Sequence, residues 1–179
     1  APYNEDDEPN PISAYGSSKL EGEEKISSVF DNYLILRTSW LYSEYGHNFV
    51  RKIMELSKDR DVIEVVNDQI GSPTYARDLA NCIIDIIIKS ILNPKAYLPG
   101  IYNYANQGEC SWYEFAKEIV ELSGNKCEVK PIPYAQYPTK AKRPAYSVLE
   151  TAKIRNAFGI GIPNWRDSLK ECISVINHK

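Results

Sequence analysis

An α/β fold built on a largely parallel sheet is what this chain of 179 residues predicts, and three observations carry it. Short apolar runs of strand type alternate with longer amphipathic runs of helix type. Alternation of that kind lays helices across the faces of parallel strands, as in doubly wound sheets. The third observation is an absence. The nine glycines never fall into G-x-G-x-x-G or G-x-x-G-x-x-G, so the strand, Gly-rich turn and helix that normally open such a sheet are missing. Gly159 and Gly161 form a G-x-G, but Pro163 follows and no helix opens at the right offset, which predicts a turn. The expectation is the C-terminal part of a doubly wound, Rossmann-like sheet, with its N-terminal half absent.

The elements follow in order. Residues 1–12 are acidic and Pro-rich, a loop. Residues 13–30 read as a helix with Ser13 as N-cap. Tyr33 to Tyr42, YLILRTSWLY, reads as one buried central strand. Asn48 to Ser57 is a helix with Phe49, Ile53, Met54 and Leu56 toward the core, and Val62 to Val66 is a short strand. DQIGSP, residues 68–73, is a turn-rich loop, and Thr74 is expected to cap a helix running to about Ser90. Ile101 to Tyr104 is a strand. Ser111 and Glu114 form a capping box, S-x-x-E, that opens a helix to Leu122. Cys127 to Ile132 reads as a strand, followed by a loop rich in proline. The last helices are expected over Leu149 to Ala157 and over Trp165 to Ile176, the second capped by Asn164.

Composition excludes several classes. A net charge of −3 gives no general basic field for nucleic acid or a membrane surface. The one short basic cluster is Lys140, Lys142 and Arg143. The longest apolar run, Cys82 to Ile88, is interrupted by Asp85 and is far too short to span a bilayer. The cysteines Cys82, Cys110, Cys127 and Cys172 form no C-x-x-C pair, and two histidines supply no zinc cluster. Cys82 and Cys172 sit in apolar helical patterns and are expected to be buried thiols. A reducing, cytoplasmic location is the simplest expectation.

The segment that carries chemistry is PISAYGSSKLEGEE, residues 11–24. Tyr15 and Lys19 stand at i and i+4, on one helix face. An ammonium beside a phenol favours the phenolate, so the phenol can exchange a proton near neutral pH, the step needed to reduce a carbonyl or oxidise an alcohol. The spacing alone is weak evidence: with 13 tyrosines and 14 lysines, chance supplies about one such pair, and Tyr113 and Lys117 form a second. Context separates them. Tyr15 follows a proline loop and precedes Gly16, Ser17 and Ser18, small residues that admit close approach.

YGSSKLEGE resembles the active-site helix of extended short-chain dehydrogenases/reductases. RTSWLY, VVNDQIGSPTYARDLA and KRPAYSVLETAKIRNAFG, in that order, narrow the resemblance to the dTDP-4-dehydrorhamnose reductase family over nearly the whole chain. The resemblance implies a dTDP-sugar substrate and NADPH or NADH as cofactor. It implies that residues 1–66 are a remnant of the dinucleotide-binding domain and that residues 67–179 form mainly a smaller α/β substrate-binding domain, with some segments returning to the Rossmann core. Tyr15 then matches the proton donor to the sugar C4 carbonyl, and Lys19 the residue that holds the nicotinamide ribose. A third catalytic member, Ser or Thr, belongs to a strand that precedes this chain. Thr38 and Ser39 match positions near the nicotinamide. Trp40 matches a tryptophan that packs on the deoxysugar, its residue-level alternative being a core aromatic at a strand end. Gln69 lies in the D-Q-x-G-x-P-T loop, a substrate contact or a structural turn. Arg143 is a candidate for the diphosphate, or else a solvated loop arginine. Ser43 in place of a common Gly, and AYSVL in place of N-S-x-L, are departures from the family pattern.

Two further readings stay open on sequence: another nucleotide-sugar reductase or epimerase, and a non-catalytic subunit of the methionine adenosyltransferase regulatory type. Loss of half the sheet is expected to expose apolar surface and to favour self-association.

Overall fold

The computed structural model describes residues 1–137 and 143–178. It contains six α-helices of at least seven residues and eight short strands: α1 Ala14–Val29, β1 Leu34–Arg37, β2 Leu41–Tyr42, α2 Phe49–Asp59, β3 Val62–Val66, β4 Ile70–Gly71, β5 Thr74–Tyr75, α3 Ala76–Leu92, β6 Gly100–Asn103, β7 Cys110–Ser111, α4 Trp112–Ser123, β8 Glu128–Ile132, α5 Ala152–Phe158 and α6 Trp165–Asn177. The strands pair two by two. β1 with β6, β2 with β5 and β3 with β8 are parallel, and β4 with β7 is antiparallel. Each parallel pair is joined by a helix-containing crossover, as parallel pairing requires.

Two cores result. In one, Val50, Ile53 and Met54 of α2, Phe115, Ala116 and Ile119 of α4, and Leu169, Cys172 and Ile173 of α6 close over β3. In the other, Cys82 and Ile86 of α3 and Ile154 and Phe158 of α5 meet Tyr102 and Tyr104 beside β1. Both cores draw on segments from each side of residue 66. All four cysteines are free and buried, including the Cys82 and Cys172 thiols expected inside. Burial pushes Cys82 up to about 11 and Cys172 up to about 12, since a thiolate is poorly solvated there.

Local signals set most helix starts. The Ser13 hydroxyl accepts from the Gly16 N–H, Asn48 caps α2 and Asn164 caps α6. The reciprocal capping box of Ser111 and Glu114 opens α4, and Gly124, at φ 70°, closes it in the left-handed conformation. Three expectations need correction. The run from Tyr33 to Tyr42 is not one buried strand: it breaks after Arg37, and β1 is only half-buried because, among the described residues, β6 alone pairs with it. Thr74 does not cap α3. It lies in β5, Tyr75 takes the N-cap position without a side-chain hydrogen bond, and the buried Thr74 hydroxyl finds no partner. α5 begins at Ala152, three residues late, because Tyr3 pairs with Val148–Glu150 and holds that stretch extended. In α2, Phe49, Ile53, Met54 and Leu56 face the core as expected, and Val50 joins them fully buried.

Apolar surface remains open on two helices. α1 buries none of its residues, and Ile26, Val29 and neighbouring Phe30 are exposed. α3 buries Cys82 and Ile86 on one side and leaves Ile84, Ile87, Ile88, Ile91 and Leu92 exposed on the other. Among the described residues, no helix is long and apolar enough to cross a membrane.

Candidate active site

α1 presents the pair expected from sequence. The Lys19 ammonium lies 5.2 Å from the centroid of the Tyr15 ring, so the i, i+4 spacing brings the cation onto the phenol. Tyr15 is 73% exposed. By contrast, Tyr113 of the second Tyr-Lys pair packs against the main core. Gly16 serves close approach: a Cβ there would lie 3.1 Å from the Pro11 Cβ, so the proline loop packs onto the first turn. Lys19 also lines a small cleft of about 260 Å³ with Pro9, Pro11, Glu23 and Arg37. No carboxylate pairs with Lys19 among the described residues; its neighbour Glu23 is taken by Arg37, whose Nε and Nη2 donate at 3.0 and 2.6 Å. That hydrogen bond raises the Arg37 guanidinium above its ordinary value, against the opposing effect of burial. The pair also ties α1 to the end of β1.

The chain leaves β1 through Thr38, Ser39 and Trp40, at the carboxyl end of a parallel strand, where ligands bind in folds of this type. Thr38 is exposed, and the Ser39 hydroxyl is committed to the Ser72 carbonyl at 2.8 Å. Trp40 has φ 46°, the one non-glycine residue with positive φ among those described. Its indole lies on Trp112, with centroids 3.5 Å and planes 10° apart. The Arg143 guanidinium sits 5.8 Å from the Trp112 ring centroid. Lys140 and Lys142 of the basic cluster lie outside the described residues.

The two-residue strand β4 gathers these groups. A Cβ on Gly71 would fall 2.6 Å from Trp40 Cζ2 and 2.7 Å from its Nε1, so glycine is required there for space. β4 pairs with β7, which leads directly into Trp112. On its other side the Ile70 N–H donates to the Ala145 carbonyl and the Ser147 N–H to the Ile70 carbonyl, at 2.8 and 2.9 Å, bringing in the segment that follows Arg143. Gln69 is buried beside it. Asp68 accepts from the Tyr134 N–H, which commits the first residue of the loop to structure. Sequence reasoning missed Trp112. A tryptophan at N1 behind a capping box carries no site signal by itself.

The fold is part of a Rossmann-like α/β frame, with an exposed Tyr-Lys pair on α1 and an aromatic-cation cluster beyond the end of β1. The profile of the RmlD substrate binding domain matches residues 1–177, and the chain belongs to that family. It is 43% identical over 176 residues to the dTDP-4-dehydrorhamnose reductase of Sinorhizobium fredii, covering 96% of this chain and 60% of that protein. It is 34% identical to the same-named protein of Escherichia coli, covering 98% and 60%. The crystal structure of dTDP-4-dehydrorhamnose reductase from Bacillus anthracis, in complex with NADP, superposes with a TM-score of 0.90 at 39% identity, over 97% of this chain and 59% of that one. The chain therefore spans about 60% of the length of these relatives.

Proposed function

We propose that this chain is the substrate-side portion of a reductase that converts the C4 keto group of dTDP-4-dehydro-L-rhamnose to the alcohol of dTDP-L-rhamnose. The observation that carries the reading is the exposed Tyr15 phenol with the Lys19 ammonium on its ring. Reduction places negative charge on the C4 oxygen, and an acid held nearby neutralises it. Tyr15 delivers its proton to that oxygen, and Lys19 supports the phenolate left behind. Trp40 offers its indole to the sugar C–H face, Arg143 its guanidinium to the diphosphate, and the Gln69 loop borders both.

A reduced nicotinamide, NADPH or NADH, supplies the hydride when bound. The residues present fit its ribose end: Lys19 has no acidic partner among those described and opens into the cleft it lines with Arg37. The pyrophosphate loop is not supplied by this sequence. Segments around β1, β6, α3 and α5 form the cofactor side, and those around α2, α4 and α6 the substrate side. The other readings, an epimerase or a methionine adenosyltransferase regulatory subunit, are less favoured because the Sinorhizobium fredii and Escherichia coli relatives, at 43% and 34% identity, are named as reductases.

The test is NADPH oxidation with dTDP-4-dehydro-L-rhamnose by the full-length protein. Tyr15→Phe is expected to lower kcat by about 10²–10⁴-fold, the range of a lost general acid, while dTDP-sugar binding persists. Full activity in that variant refutes the role of Tyr15. The chain of 179 residues alone is expected to be inactive and to self-associate through its open apolar surface.

A further inference from the structure

Trp40 is held in an unusual way. Its backbone sits in the left-handed region, which disfavours a residue with a Cβ and persists only where the surroundings over-determine it. Here they do. Gly71 clears one side of the indole, and Trp112 covers the ring at 3.5 Å. Trp112 is fixed in turn by the Phe49 ring at 4.6 Å and by its place at the first turn of α4. The turn is anchored by the capping box and by the Ser111 hydroxyl, which donates to Asn67 Oδ1 at 2.7 Å. Arg143 meets the same Trp112 ring. One side chain thus meets both groups assigned to substrate, the aromatic platform and the cation.

We propose that Trp112 is a positioning residue for the nucleotide sugar: it sets the plane of the Trp40 indole and registers Arg143 against it, so that sugar ring and diphosphate are received at a fixed separation. This rests on the reading of Trp40 as the sugar platform. A purely structural tryptophan would change stability and leave the kinetic constants of the folded enzyme alone. A positioning one changes affinity for the dTDP-sugar and not for the dinucleotide, because a misplaced binding group costs most where geometry is shared.

The experiment compares Trp112→Phe, Trp112→Leu and Trp40→Phe in the full-length protein, reading KM for the dTDP-sugar, KM for NADPH and the circular dichroism of the indoles. Two tryptophans stacked this closely give an exciton-coupled signal, which either single substitution abolishes. The expected result is that signal in the parent, a rise of about 10-fold or more in dTDP-sugar KM for Trp112→Leu, partial rescue in Trp112→Phe, and an unchanged NADPH KM. Absence of the coupled signal in the parent overturns the stack and the proposal with it. An unchanged sugar KM in folded Trp112→Phe and Trp112→Leu, with a raised one in Trp40→Phe, overturns the positioning role and leaves the platform standing. If Trp40→Phe also leaves sugar KM unchanged, the platform reading itself fails. Should Trp112→Leu not fold, Trp112→Phe alone decides.

Discussion

Single atoms decide much of this site. At Gly71 the missing Cβ is the space that the Trp40 indole occupies. Gly71→Ala therefore overpacks the loop and is expected to cost about 1–3 kcal/mol of stability, measured by denaturant unfolding, and to raise dTDP-sugar KM together with it. The backbone of Gly71 does not demand glycine, since its φ is not positive; the demand is steric and comes from a residue 31 positions earlier. Sequence reading placed Gly71 in a tight turn and could not see its partner. It singled out Tyr15 and Lys19 from a local motif and Trp40 from the family resemblance, and passed over Trp112 because its contact with Trp40 lies 72 residues away.

Elements tell the same story at larger scale. Where a helix start depends on a cap side chain accepting from a backbone N–H two or three positions on, as with Ser13, Ser111 and Asn164, the sequence was sufficient. Where tertiary pairing intervenes, it was not: β5 claims Thr74, and Tyr3 holds Val148–Glu150 out of α5. α1 depends on polar contacts more than any other helix here. It buries no residue, and the bidentate Arg37–Glu23 pair joins it to β1. Glu23→Gln is expected to speed amide hydrogen exchange across α1 while leaving α2, α4 and α6 protected. Equal exchange in parent and variant sinks that view of how α1 is held. Any loosening should reach Tyr15 and Lys19, which ride on the same helix.

For the molecule as a whole, one buried carboxylate ties three parts together. Glu44 receives the Arg77 guanidinium at 2.6 Å and the Tyr75 hydroxyl at 3.1 Å, and Arg77 continues to Glu171 on α6. Burial alone would raise the Glu44 carboxyl, but its own backbone N–H, Arg77 and Tyr75 together hold it below the ordinary carboxylate range. A depressed acid stabilises the fold above its unfolded value, near pH 4, and that stability is lost as pH falls through the lower folded value. Glu44→Gln is expected to lower stability at neutral pH by about 1–3 kcal/mol, less than for a fully buried pair because Arg77 is 40% exposed, and to flatten the acid limb of the unfolding curve. The exposed apolar row on α3 gives a second outcome: sedimentation of the isolated chain should show mass rising with concentration, and Ile87→Glu with Ile91→Glu should suppress it. A monomer at all concentrations contradicts this. The knot at Ile70–Gly71 has a consequence for time. It joins residue 71 to residue 110 and residue 70 to residues 111 and 146, and stacks residue 40 on residue 112. Closures of that span carry a chain-entropy cost that helix formation does not, and are slower to form. The helices can be complete while the Trp40–Trp112 stack is still open, so a newly made molecule acquires that stack after its helices.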